Sequence, residues 1–222
     1  MSWGLVAYNA DGTKILDSSK KYYYWKATAS LSFDAGVNEY GPLFSYPDEN
    51  QPEVFIAPLD FLNVRRRVFW DGSAWVARIQ TFAPAAGTLY HQTYSKSVFT
   101  TSTWGLQFFD SSGDLSLDLG LEILRFVGAT SGELSFGETA TWYFPSAVTS
   151  YYPPIVECTY YFRDFVEDGQ HKPIGTMYRV LGTNNDWTGV QITLDSLLGD
   201  EITNPPSDLE GRYYVLAFKG GT

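Results

Sequence analysis

The sequence predicts an all-β protein, built from two similar β-sandwich-like domains in tandem, and three observations carry that reading. The chain of 222 residues holds seven Trp, sixteen Tyr and fifteen Phe, residue types that suit a pleated, half-buried surface. Twenty Gly and eleven Pro interrupt it every few residues, as frequent turns require. The opening "WGLVAYNADGTKILD" returns without a gap as "WGLQFFDSSGDLSLD", at an offset of 101 residues (104 − 3).

Each position of that repeat has a structural reason. Trp3, Gly4, Leu5 and Gly12 match Trp104, Gly105, Leu106 and Gly113. Trp3, Leu5 and Ala7 share one side of a strand of period two, as do Trp104, Leu106 and Phe108. Asn9 to Gly12 and Asp110 to Gly113 then carry type I turn chemistry, an Asx residue first and a Gly fourth. Strand, turn and second apolar run make a β-hairpin. The repeat divides the chain into residues 1–103 and 104–222, with "TTST" before Trp104 as the boundary. Weaker echoes follow: "LSF" at Leu31 and again at Leu134, "DGSAWVARIQT" against "NNDWTGVQITL", and closing strands "LYHQTYSKSVF" and "RYYVLAF". Helical signal is confined to "LDSLLGDEI", where Asp195 can cap one turn that Gly199 ends. The Pro-containing stretches Tyr46 to Pro58 and Thr203 to Asp208 read as loops.

Charge separates the two parts. Residues 1–103 hold nine acids and nine bases, whereas residues 104–222 hold sixteen acids and six bases, so the net charge of −10 resides in the second part. An acidic domain repels phosphate backbones, which excludes nucleic acid as the expected partner. No apolar run approaches the length of a membrane span, and no charged-then-apolar signal segment opens the sequence. Cys158 stands alone and has no disulfide partner within the chain; a buried structural thiol in a cytoplasmically assembled protein is expected.

Catalytic patterns are missing from the sequence. There is no Gly-rich phosphate cradle, HExxH, GxSxG or Cys/His metal spacing, and only His91 and His171 are available as bases. Glu157, Asp164 and Glu167 are the acids that a paired-carboxylate glycosidase would draw on, but alternating acids on a strand ordinarily form its solvent face. No enzyme activity, cofactor or metal is expected.

Two features point to contacts instead. Arg65, Arg66 and Arg67 stand in a row in "NVRRRVF", and on a strand Arg66 points away from its neighbours. Their charges either guard a solvated edge or dock an acidic partner surface. Adjacent tyrosines recur at Tyr22, Tyr23 and Tyr24, and at Tyr151 and Tyr152. Neighbours on a strand face opposite sides, so one of each pair leaves its own core, and exposed Tyr suits interfaces. The expected protein is one that assembles.

The repeated segment also resembles a small β module encoded among the tail genes of tailed bacteriophages. In that family the opening typically reads "GLQVFNxxGxxxFDS" followed by "RxLRVVG". Trp3 to Ser19 is similar to the first part, and Trp104 to Gly128, ending "LEILRFVG", to both. "KKYYYWKA" replaces the second element in the first copy, and Asp118-Leu119 replaces DS in the second. The resemblance implies a non-enzymatic virion structural protein: a minor tail protein at the tail tip, baseplate or fibre attachment. It would be made in the host cytoplasm, form a homo-oligomer within a symmetric tail, and contact other virion tail proteins. A receptor- or carbohydrate-binding module meeting a host-surface glycan is the alternative, and a capsid decoration protein the third reading.

Overall fold

The computed structural model describes residues 6–8, 14–17, 23–47, 50–96, 106–109, 113, 115–118, 124–158, 161–183, 185–203, 205 and 210–219. Trp3, Gly4, Leu5, Gly12, Tyr22, Trp104 and Gly105 lie outside them, as does most of Thr203 to Asp208. Every regular element among the described residues is a strand. The first part contains β1 (Val6–Tyr8), β2 (Lys14–Asp17), β3 (Tyr24–Phe33), β4 (Gly36–Tyr40), β5 (Ser45–Tyr46), β6 (Glu53–Pro58), β7 (Asn63–Trp70), β8 (Trp75–Ala83) and β9 (Gly87–Ser95). The second contains β10 (Gln107–Phe109), β11 (Leu115–Asp118), β12 (Arg125–Ser135), β13 (Thr139–Val148), β14 (Ile155–Cys158), β15 (Phe162–Glu167), β16 (Gln170–Thr183), β17 (Asp186–Ser196) and β18 (Glu210–Lys219).

The hairpins β1–β2 and β10–β11 have one register. Val6 pairs with Asp17, Ala7 with Leu16 and Tyr8 with Lys14. Gln107 pairs with Asp118, Phe108 with Leu117 and Phe109 with Leu115, each 101 positions later (107 − 6), with the same irregularity before the last pair. Gly113 takes φ +88° in the second turn, as its place there requires. The side chains differ from the simple alternation. Leu106 is exposed, whereas Leu117 and Asp118 are buried.

A six-stranded sheet of order β12-β18-β14-β6-β9-β3 forms one layer. Its two ends are built alike: β3 pairs with β9 and β9 with β6, as β12 pairs with β18 and β18 with β14. The two triplets meet where Val156 pairs with Ile56. The other layer has two parts. One has the order β13-β17-β16-β15. In the other, β4 and β5 share one edge of β8 and β7 takes the opposite edge. Trp75 and Trp187, the centres of the "DGSAW" and "NNDW" echo, both stand on a strand paired on both sides, β8 and β17.

Packing crosses residue 103. The main core takes Phe55 and Tyr94 from the first part, and Ile155, Val215, Ile192 and Leu194 from the second. Leu62 and Tyr178 exchange backbone bonds of 3.3 and 3.1 Å, and Leu124 N donates to Tyr23 O at 3.0 Å. A second cluster of Phe33, Ile56, Ile79 and Leu89 fills the first part alone. The two parts are therefore joined edge to edge, with one core running beneath the joint.

Two local expectations change. Glu53–Pro58, inside the expected loop, is β6, a strand buried almost throughout. Its apolar run "VFIA" sits in the middle of the large sheet, where both faces are covered, and Pro58 ends it. The expected helical turn at Asp195 is instead the end of β17, followed by a turn at Leu197 and Leu198. Asp195 Oδ1 accepts from Ser196 N at 2.7 Å, Ser196 Oγ accepts from Asp200 N at 2.9 Å, and Gly199 closes the turn at φ +77°. Ser196 rather than Asp195 supplies the oxygen that spans the turn, because strand pairing to β16 holds the backbone extended through Ser196.

Candidate interaction surface

The arginine row is placed by a turn. Asp71 begins the β7–β8 connection, and its Oδ1 accepts from Ser73 N at 2.8 Å and Ala74 N at 2.9 Å. These bonds hold its carboxyl below the usual carboxylate range. They also fix the register: Trp70 pairs with Trp75, Arg67 with Arg78, Arg66 with Ile79 and Arg65 with Gln80. Directly opposed residues lie on one face. Arg65, Arg67, Arg78 and Gln80 therefore share the face opposite the buried Ile79.

On that face Arg65, Arg67, Phe69, Arg78, Gln80 and Glu39 line a groove of about 480 Å³. The Phe69 ring lies beneath two guanidinium groups, 4.9 Å from that of Arg67 and 5.8 Å from that of Arg78. Arg78 Nη1 donates to Glu39 Oε1 at 2.9 Å. Arg65 lies 4.9 Å over Phe162 and 5.3 Å over Phe82. Two arginines opposed across a ladder repel each other. Solvent and the ring beneath them offset that repulsion. Among the described residues β7 pairs along its length only with β8, so the row borders an open sheet edge, as a guarded edge requires.

Arg66 turns the other way, as alternation demands. It forms an ion pair with Glu157 of β14, donates to Val54 O of β6 at 2.8 Å, and lies 5.2 Å over Phe55. One side chain thus ties three strands together at the joint. Cys158 follows Glu157, and burial, then the Glu157 charge, push its thiol up to about 12. It is a neutral packing group at physiological pH.

The tyrosines divide. Tyr24 is 2% exposed and its hydroxyl accepts from Asp118 N at 3.0 Å, docking the β10–β11 hairpin onto β3. Its role is within the chain, linking first part to second. Tyr23 is half-buried under the Lys96 ammonium at 4.8 Å. Tyr151 is 65% exposed. Its ring meets Tyr152 at 4.9 Å and 87°, and Tyr152 meets Tyr90 at 6.0 Å.

The acids considered for catalysis each face a base. Glu157 holds Arg66, Asp164 lies 2.7 Å from His171, and Glu167 accepts from Lys172 at 2.7 Å. Glu167 also accepts from Thr203 N and Oγ1 at 3.1 and 2.8 Å, while Lys172 donates to Glu201 O at 2.6 Å. This network pins the loop after β17 to the tip of the β15–β16 hairpin. Among the described residues no group of three or more His, Cys, Asp or Glu is placed to hold a metal.

Sequence reasoning found the arginine row but missed Arg78, Glu39 and Phe69. The signal for Arg78 was present: "DGSA" between two strands counts Arg67 opposite Arg78. Nothing local announced Glu157, because its partner lies 91 residues away (157 − 66). No protein-family model, curated protein or solved structure matches the chain.

Proposed function

We propose that this chain is a non-enzymatic structural protein of a bacteriophage tail, at the tip, baseplate or fibre attachment, that assembles with itself and with other tail proteins. The observation that carries the reading is the repeated hairpin. The segments that resemble the tail module have one register in both parts, residue for residue at an offset of 101. We attribute the repeat to duplication, and the matched strand pairing within the large sheet supports that history. A doubled module gives one chain two related surfaces, suited to bridging neighbours or adapting rings of different copy number. The separate charges of the two parts fit different partners.

The aromatic geometry favours this reading over glycan binding. Stacking on sugars calls for coplanar exposed rings, but Tyr151 and Tyr152 meet at 87° and Trp70 and Trp75 at 68°. The test is immunogold labelling and mass spectrometry of gradient-purified particles produced from the genome that encodes the chain. Label at the tail is the expected result. Absence from particles, or label confined to the capsid, overturns it.

A further inference from the structure

The groove on the first part and the hairpin tip on the second have opposite charge. Among the described residues that line it, the groove presents Arg65, Arg67 and Arg78 beside one acid, Glu39. Among the described residues Arg67 contacts the Phe69 ring and no carboxylate. The tip of β15–β16 is a tight turn with Asp168 at φ +53° and Gly169 at φ +76°, both exposed. Asp168, Asp200 and Glu201 are exposed there beside Glu167, with Lys172 among them. The Lys172 ammonium is held above its usual range, first by its hydrogen bond to Glu167, with Asp168 and Asp200 adding to the negative field.

The two parts differ at one further place. In the second, the outer edge of β16 is occupied by β15. In the first, β7 takes the equivalent position beside the middle strand β8, and among the described residues its outer edge pairs with no strand beyond the Leu62 bridge. An arginine-lined edge in one part thus faces outward while the other part projects an acidic hairpin.

We infer that the arginine groove is one side of a head-to-tail contact between copies of this chain, and that its occupant is the acidic Asp168–Gly169 hairpin tip of the next copy. The inference rests on the reading of the chain as an assembling protein, not on its place in a tail. A groove meeting a different patch on its neighbour makes a heterologous contact, which closes into a ring or propagates as a filament according to the rotation per copy. Its strength depends on exposed charges, so salt weakens it.

Sedimentation of the purified full chain tests this at about 0.05 M and about 0.5 M salt, which spans weak to strong screening. Self-association at low salt that fades at high salt is expected. Arg67→Glu and Asp168→Lys should each weaken association by about tenfold or more, because each sets like charges against each other. Their combination in one chain should restore it, since the charges are then exchanged. Arg67→Lys, which keeps the charge, should associate nearly as the parent does, and melting curves of all variants should overlay. A chain that is monomeric at both salts, single variants that associate like the parent, or a combination that fails to recover while folded overturns the contact. Particle analysis separates this from the tail proposal. Normal incorporation of the Arg67→Glu chain sinks the groove and leaves the tail reading intact; salt-sensitive association with no chain in particles does the reverse.

Discussion

In the first part of the molecule β7 ends the outer layer, with Arg65 and Arg67 turned to solvent beside Arg78. In the second part β16 occupies the corresponding place on β17, and β15 continues the sheet past it. The two halves of the six-stranded sheet are alike, each a triplet whose middle strand pairs with the other two. Like pairing in the large sheet and unlike edges in the other layer are what packing leads one to expect. A strand in the middle of a sheet has both ladders committed, whereas an edge strand has one ladder free. Differences between two parts of like architecture therefore collect at edges and turns.

The strongest way to break this comparison is to attack what the parts share. Ile155 is fully buried at the joint, and Ile155→Ala should cost about 3 kcal/mol through lost burial and a residual cavity. Because the core spans both parts, thermal unfolding of parent and variant should remain a single transition by calorimetry. Two resolved transitions would show that the parts fold independently despite the shared sheet.

Arg66→Ala comes next. The ion pair with Glu157 is about one-third exposed on each side, so solvent discounts it, but the Val54 carbonyl and the Phe55 ring also lose a partner. About 2 kcal/mol is expected, measured by denaturant titration, against a near-zero effect on stability for Arg67→Ala one position away. Equal effects would mean that alternation along β7 does not assign the two arginines different roles.

Gly113→Val sharpens the hairpin comparison. Nothing stands within 4 Å of an added Cβ, so the expected loss of about 1 to 2 kcal/mol comes from forcing a β-branched residue to φ +88°. Gly113→Asn should lose less, since Asn tolerates that region. An effect of similar size for Gly12→Val would extend the equivalence to the first hairpin.

The smallest effect is a pH dependence confined to the first part. His91 is buried on β9, and burial lowers its pKa below 6.5. The unfolded chain therefore binds the proton first as pH falls. Stability contributed by the neutral ring is complete above pH 6.5 and is lost below it, by at most about 1.4 kcal/mol per pH unit for one group. His91→Gln should flatten that decline in melting temperature. An unchanged slope would assign the acid sensitivity to other groups.

The sequence by itself determined the features that depend on neighbours along the chain. Alternation and turn spacing made the molecule all-β. The register of both hairpins followed from one repeated pattern, Arg66 had to face away from Arg65 and Arg67, and Gly113 had to take positive φ. These are local because side-chain direction and turn conformation are set within a few residues. Only the tertiary structure decided the joint. "EVFIAP" reads as a Pro-bounded apolar stretch until β9 and β14 lie on either side of it and make it a central strand. Glu157 reads as a solvent-facing acid until β7 brings Arg66 beside it, and Tyr24 reads as a surface tyrosine until Asp118 offers its backbone N–H. Each of these depends on a partner between 31 and 100 residues away (89 − 58 for Leu89 and Pro58 in the β9–β6 pair; 156 − 56 for Val156 and Ile56 in the β14–β6 pair). Pairing over such distances is chosen by the burial of whole sheets, and no short window of sequence contains that choice.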